Sequence, residues 1–271
     1  MSFAAGRRCT GMTTTLLLPD KNAIVYGAAG GLGCAIARTF AREGANVHLV
    51  GRTREPLEAL AAEIGPSAHV AQLDATDEAA VDAHVAQVRA EHGSVDVSLN
   101  LINRGDVQQI ALVDMTTEQL LRATVTGLSS LFVTSRAAAR VMAQQGGGSI
   151  LGLTSGSARG AAPGMGSTGP ADAACDTYLR YLAAETGAQG VRVNTIHTAG
   201  VTGSLTAEKI AAVGGTPIDP AVIEQAIAGM TMLKRAPNVE QIAETAAFLA
   251  SDCAAAITGT VVNASCGLIP G

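Results

Sequence analysis

The chain has 271 residues, 48% of them hydrophobic and 15% charged, with 31 glycines, 9 prolines and a net charge of −5. That length and apolar fraction fit a single α/β core and exclude a disordered chain. An acidic balance without a run of Lys or Arg excludes nucleic acid as a partner. The five cysteines, Cys9, Cys34, Cys175, Cys253 and Cys266, form neither a CxxC pair nor a Cys/His spacing for zinc. No metal is expected, and a reducing cytoplasm is the simplest compartment.

Residues 1–19 read as a loose extension. Thr10 to Thr15 interrupt any apolar stretch, and Leu16–Leu18 is too short for a signal-peptide core. No apolar run approaches the ~18 residues that would span a bilayer, so no membrane is expected. From residue 22 short apolar runs alternate with amphipathic or Ala-rich stretches. In chain order these predict a strand at 23–27, a helix at 31–44, a strand at 46–50, a helix at 54–64, a strand at 68–72 and a helix at 76–92. A strand at 95–101, a helix at 117–143, a strand at 149–154, a helix at 169–188, a strand at 191–196, a helix at 239–251 and a strand at 259–263 follow. This rhythm predicts one domain over 20–271, a doubly wound α/β fold with a seven-stranded parallel sheet flanked by helices. Segment 200–232 breaks the rhythm with Gly203, Gly214, Gly215, Pro217 and Pro220 at the carboxyl edge of the sheet. It reads as a substrate lid.

The first strand runs into Gly27-Ala28-Ala29-Gly30-Gly31-Leu32-Gly33 and then into a helix. Glycines there let the chain turn sharply and let a pyrophosphate approach backbone N–H groups at the helix N-terminus, as in Rossmann folds. Tyr26 to Gly33 matches the motif Thr-Gly-x-x-x-Gly-x-Gly at its three glycines, Gly27, Gly31 and Gly33, with Tyr26 in place of Thr. Leu73-Asp74-Ala75, Val95 to Asn100, and Phe248 to Asp252 followed by Ile257-Thr258-Gly259 fit the same pattern. On these segments the chain resembles the short-chain dehydrogenase/reductase family over about residues 20–267.

The resemblance implies a nicotinamide dinucleotide held by Gly27, Gly31, Leu32 and Gly33, with Asp74 near the adenine and Asn100 on the strand that backs the cofactor. At the end of the second strand stand Gly51 and Arg52, with no carboxylate to bind ribose hydroxyls. A guanidinium there favours a 2′-phosphate, hence NADP(H) over NAD(H), and Arg54 could add to it.

The resemblance also implies a catalytic Ser, a Tyr thirteen residues on and a Lys four beyond, the phenol serving as acid or base and the Lys lowering its pKa and bonding the nicotinamide ribose. Here Ser155 keeps its place, but Thr168 and Asp172 stand at the other two positions. The family's helix Asn aligns with Thr124, and its Asn-Asn-Ala-Gly reads Asn100-Leu101-Ile102-Asn103. An aliphatic hydroxyl is a far weaker acid than a phenol, and a carboxylate raises the pKa of a neighbouring acid. Tyr178 and Tyr181, ten and thirteen residues past Thr168, lie about 15–20 Å along the helix, too far to substitute. His197, Arg104, Asp106 and Arg159 are secondary candidates near the ligand edge.

Three functions follow. The leading one is an NADP(H)-dependent oxidoreductase acting on a carbonyl or hydroxyl of a small molecule with an altered or impaired proton-transfer site. The second is a non-redox enzyme of the same fold, performing elimination, isomerisation or cyclisation with Asp172 or His197 as acid or base. The third is a non-catalytic cofactor-binding sensor or partner subunit. The resemblance implies a homo-oligomer, a tetramer, built on the two long Ala-rich helices and the segment around Leu268–Pro270.

Overall fold

The computed structural model describes residues 16–160, 162–204, 206, 208, 211 and 219–268. The strands are β1 (Asn22–Tyr26), β2 (Asn46–Gly51), β3 (Ala68–Gln72), β4 (Val97–Asn100), β5 (Gly148–Ser155), β6 (Val191–Thr198) and β7 (Val261–Asn263). The main helices among the described residues are α1 (Gly31–Arg42), α2 (Arg54–Ile64), α3 (Glu78–His92), α4 (Thr117–Gln145), α5 (Thr168–Thr186), α6 (Pro220–Met230) and α7 (Val239–Ala250). The strands form one parallel sheet in the order β3-β2-β1-β4-β5-β6-β7. The expected doubly wound architecture is therefore present.

Burial on both faces explains the continuous apolar strands. Every residue of β1 is buried, and alternate side chains enter two cores. Ala23, Val25, Val47, Leu49 and Leu151 pack under Ile36 and Phe40 of α1, Leu57 of α2 and Ile242 and Leu249 of α7. Ile24, Tyr26, Val50 and Ile150 pack under α3, α4 and α5 on the opposite face. Truncating Phe40 or Leu151 to Ala would cost about 2–5 kcal/mol through lost burial and the cavity left behind. Helix ends are set locally. Thr116 and Gln119 form a capping box before α4, and Asn238 and Gln241 form another before α7.

Three boundaries differ from expectation. The N-terminal extension is not loose throughout, since Leu18 is fully buried and its N–H donates to the Glu43 carbonyl, which pins this segment beside the end of α1. The fourth strand is four residues long rather than seven, although Asp96 and Leu101 still donate N–H bonds to β1 carbonyls at either end. The proposed lid contains a helix, α6, started by Asp219 as cap and Pro220 in its first turn. Much of the rest of the lid, including Gly214, Gly215 and Pro217, lies outside the described residues, as do Ile269 and Pro270 of the expected C-terminal interface.

Candidate active site

The strand order reverses between β1 and β4, and an open parallel sheet forms its ligand crevice at the carboxyl ends beside such a reversal. Gly27 turns there at φ +80, where a Cβ would stand 2.7 Å from the Leu101 carbonyl oxygen, so any side chain would strike the β4 loop. A Cβ on Gly33 would stand 2.2 Å from the Gly27 carbonyl oxygen, so the turn closes directly on α1. Gly30 caps α1 without a side-chain bond, and the first turn carries no acid. The positive end of the helix is thus open to an anion.

A cleft of about 880 Å³ lies over this turn. Gly27, Gly31, Leu32, Gly33, Arg52 and Asp74 all line it, and it runs on to Asn103, Gly105, Asp106 and Thr126. Its size, the uncapped helix end and the glycine turn fit a dinucleotide. Asp74 accepts the backbone N–H and the hydroxyl of Thr76, bonds that hold its carboxyl below the usual range. Arg54 is paired with Glu58 at 2.6 Å along α2, which leaves Arg52 as the guanidinium on the cleft wall. Asn100 is placed differently from the rest of the expected set. Its amide donates to Thr134 on α4 and its oxygen accepts the Ile102 N–H, so it ties β4 to the helix layer and does not line the cleft.

The reaction corner is built from β5, α5 and the loop after β4. Asp172 is fully buried in α5. Its Oδ2 accepts both the backbone N–H and the hydroxyl of Ser155, at 3.0 and 2.6 Å. Its Oδ1 accepts Nη1 of Arg104 at 2.6 Å. Arg104 also reaches Asp106 through Nε and Nη2, at 3.3 and 2.8 Å. The side chains of Arg104 and Asp106 are 18% and 16% exposed, so the whole cluster is largely withdrawn from water. Burial pushes the Asp172 carboxyl above the usual carboxylate range, while Arg104 and the Ser155 hydroxyl pull it back. Burial also works against the Arg104 charge, yet Asp172 and Asp106 outweigh it and hold the guanidinium protonated.

The Ser155 hydroxyl donates to Asp172 and accepts the Ser157 N–H, so its proton is engaged inside the protein. Thr168 Oγ1, at the start of α5, accepts Nε2 of Gln108 at 2.9 Å. Ser167 both accepts from and donates to the Val107 backbone, fixing the 104–109 loop against α5. Of the expected set, Ser155 and Asp172 are bonded to each other, and Thr168 lies one helical turn before Asp172 on α5. Sequence reasoning named Arg104 and Asp106 without linking them to Asp172, and it missed Gln108, whose amide carries no motif signal.

His197 and Arg159, the remaining secondary candidates, are placed elsewhere. His197 is buried and its Nε2 lies 2.6 Å from Asp176, which in turn accepts the Thr154 hydroxyl at 2.8 Å. Tyr178 bonds Ser135, and Arg159 is exposed away from the cleft lining. Among the described residues no cluster of His, Cys, Asp or Glu is arranged to hold a metal ion, and no helix is long and apolar enough to cross a membrane.

The family model described as enoyl-(acyl carrier protein) reductase matches residues 27–269. The chain belongs to the short-chain dehydrogenase/reductase family. The oxidoreductase asL5 of Sarocladium schorii is 32% identical over 257 residues, covering 95% of this chain and 99% of that protein. The 3-oxoacyl-acyl-carrier-protein reductase FabG of Escherichia coli strain K12 is 31% identical over 253 residues, covering 92% and 97%. A solved structure of 7α-hydroxysteroid dehydrogenase, complexed with NADH and 7-oxo glycochenodeoxycholic acid, superposes with a TM-score of 0.81 at 28% identity, covering 95% of this chain and 98% of that one. The chain is thus a member of an oxidoreductase family whose homologues bind a nicotinamide cofactor and act on small molecules.

Proposed function

We propose that the chain is a cytoplasmic oxidoreductase that binds NADP(H) in preference to NAD(H) and works on a carbonyl or hydroxyl of a small molecule through an altered proton-transfer site. The cofactor would rest on the Gly27–Gly33 turn, with Arg52 on the adenosine 2′-phosphate and Asp74 at the adenine, and would supply or accept the hydride. Gly51 leaves the second strand without a carboxylate to repel that phosphate.

The observation that carries the altered site is the 2.6 Å bond from the Ser155 hydroxyl to Asp172. A serine whose proton is held by a buried carboxylate is a poor donor to a substrate oxygen. Thr168 accepts from Gln108, and among the described residues no acceptor is bonded to its own proton, so in this reading it is the hydroxyl left to donate. An alcohol in place of a phenol predicts turnover lower by the ~10²–10⁴-fold that a general acid typically contributes. NADPH oxidation against a panel of ketones, read beside calorimetric NADPH binding, tests this. Tight binding with slow turnover supports the reading. Turnover of about 1–10³ s⁻¹, usual for enzymes, would overturn the altered-site half of it.

A second reading, a cofactor-binding sensor or partner subunit without turnover, is favoured by the same closed Ser155–Asp172–Arg104 network. It predicts NADPH binding with no oxidation of cofactor on any ketone or alcohol. Assembly as a homo-oligomer is part of the proposal. Leu121, Val125 and Phe132 on α4 and Tyr181 on α5 are exposed apolar side chains that a partner copy would cover. Light scattering showing a monomer at micromolar concentration would contradict it.

A further inference from the structure

We propose that Arg104 is the positioning residue of this site: tied to Asp172, it returns to the reaction corner the positive charge that Asp172 removes from α5, and it anchors the 103–106 wall of the cleft.

Four observations carry this. Arg104 belongs to the loop after β4, whereas Asp172 belongs to α5, so their bond joins two separate elements, one full helical turn beyond the Val107–Ser167 and Gln108–Thr168 bonds. Residues on both sides of Arg104, Asn103 together with Gly105 and Asp106, line the cleft. The arginine side chain is therefore the inward tether of a stretch whose neighbours form the wall. Its path crosses α4 at Gly127, where a Cβ would stand 2.5 Å from Arg104 Cδ, so the helix leaves a notch that the side chain fills. Asp172 binds Ser155 with its other oxygen, so one carboxylate fixes the loop wall and the end of β5 together.

The energetics favour a positional role over a stabilising one. Burying an ion pair takes both charges out of water, and the net gain over an apolar pair is often nil. Removing one partner alone strands a buried charge, which makes the remaining geometry strongly dependent on both. A planar guanidinium that grips Asp106 by two nitrogens and Asp172 by a third sets an orientation that a single point charge does not.

The deciding experiment is amide hydrogen exchange on the intact protein without cofactor, comparing wild type, Arg104→Ala, Arg104→Lys and Asp172→Asn. The Gly105 and Val107 amides report on the wall, since they are held by Asn103 Oδ1 and Ser167 Oγ. The expected result is about tenfold or faster exchange at these two amides in Arg104→Ala and Asp172→Asn, with β1 and β2 unchanged and Arg104→Lys intermediate. Uniform acceleration across the sheet, no change at the loop, or an Arg104→Lys variant no better than Arg104→Ala would each overturn the proposal. If Arg104→Ala does not fold, Asp172→Asn, which keeps the side-chain shape while losing its charge, decides at the same amides. A second arm rests on the dinucleotide reading: Arg104→Ala should weaken NADPH about tenfold while leaving adenosine 2′,5′-bisphosphate, which lacks the nicotinamide half, within about twofold. Equal weakening of both ligands would count against Arg104. Wild type that binds neither would sink the cofactor reading and leave the exchange result to judge the tether.

Discussion

The glycine turn over the cleft and the Ser155–Asp172–Arg104 corner are held together in different ways. At the adenosine end the Gly27–Gly33 turn, the uncapped start of α1, Arg52 and Asp74 lie where the family resemblance places a dinucleotide. At the corner of β5 and α5, Thr168 accepts from Gln108, and Asp172 bonds both Ser155 and a guanidinium from another element; in the proposed function Thr168 and Asp172 take the places of the phenol and the amine. Backbone geometry dominates the first end, and any substitution at Gly27 or Gly33 collides with main chain. Side-chain chemistry dominates the second, where the buried Asp172 carboxylate is paired with Arg104. Under the proposed function the backbone cradle is kept while the proton-transfer site is altered.

The largest expected effect would break this comparison by rewriting the reaction end back. Thr168→Tyr with Asp172→Lys should raise ketone-dependent NADPH oxidation above either change alone, because a phenol beside a carboxylate has its pKa raised and a lysine without a phenol has nothing to tune. Arg104 adds a condition, since a lysine introduced at 172 would face its guanidinium. The triple variant carrying Arg104→Ala should exceed the pair, within a total recovery of about 10²–10⁴-fold. A pair that equals or exceeds the triple would show that Arg104 does not oppose the introduced cation.

The next effect concerns the sheet edge that carries Arg52. His48 of β2 and His69 of β3 are register partners, and His84 and His92 of α3 pack against them, with the His48, His69 and His92 rings 4.6–4.9 Å apart. Burial, then repulsion from His69, His92 and His84, pushes His48 down to about 3, and burial pushes His84 down to about 4, with Glu91 alone opposing it. His69 is lowered as well, by burial and by His92. These folded values lie below the unfolded reference of about 6.5, so the folded state binds fewer protons. The stability is present above pH 6.5 and is lost as pH falls toward 4. Denaturant unfolding should show a loss on the order of 3 kcal/mol from each of His48 and His84 between pH 7 and pH 4, with the His48 share missing in His48→Leu. An equal acid loss in that variant would place the sensitivity elsewhere.

The smallest effect sharpens the adenosine end. Arg52→Ala should weaken NADPH about tenfold with little change for NADH. Gly51→Asp should shift preference toward NADH, since a Cβ there meets only the Leu57 side chain at 3.5 Å or more and the new carboxylate would face the ribose. Calorimetry with both cofactors checks each variant. Unchanged affinity ratios would remove Arg52 from the site.

The glycine turn was legible because its signal is local: one strand, three spaced glycines and one helix encode a backbone path within eight residues. The positions of Ser155, Thr168 and Asp172 were legible as a spacing on β5 and α5, but the bond from Ser155 to Asp172 was not. Asn100 read as part of the cofactor strand, but its amide is drawn to Thr134 on α4, a contact 34 residues away that no strand pattern announces. The Arg104–Asp172 bond spans 68 residues, and the Gly127 notch that admits it lies on a third element.

The sequence by itself determined the alternating elements, the parallel sheet and the glycine turn, because these follow from short-range periodicity and from backbone angles that few residues tolerate. Only the tertiary structure decided which charges meet. Ion pairing depends on where separate elements converge and on how much water is excluded there, and burial at that corner is what couples Asp172 to Arg104 and holds the proton of Ser155.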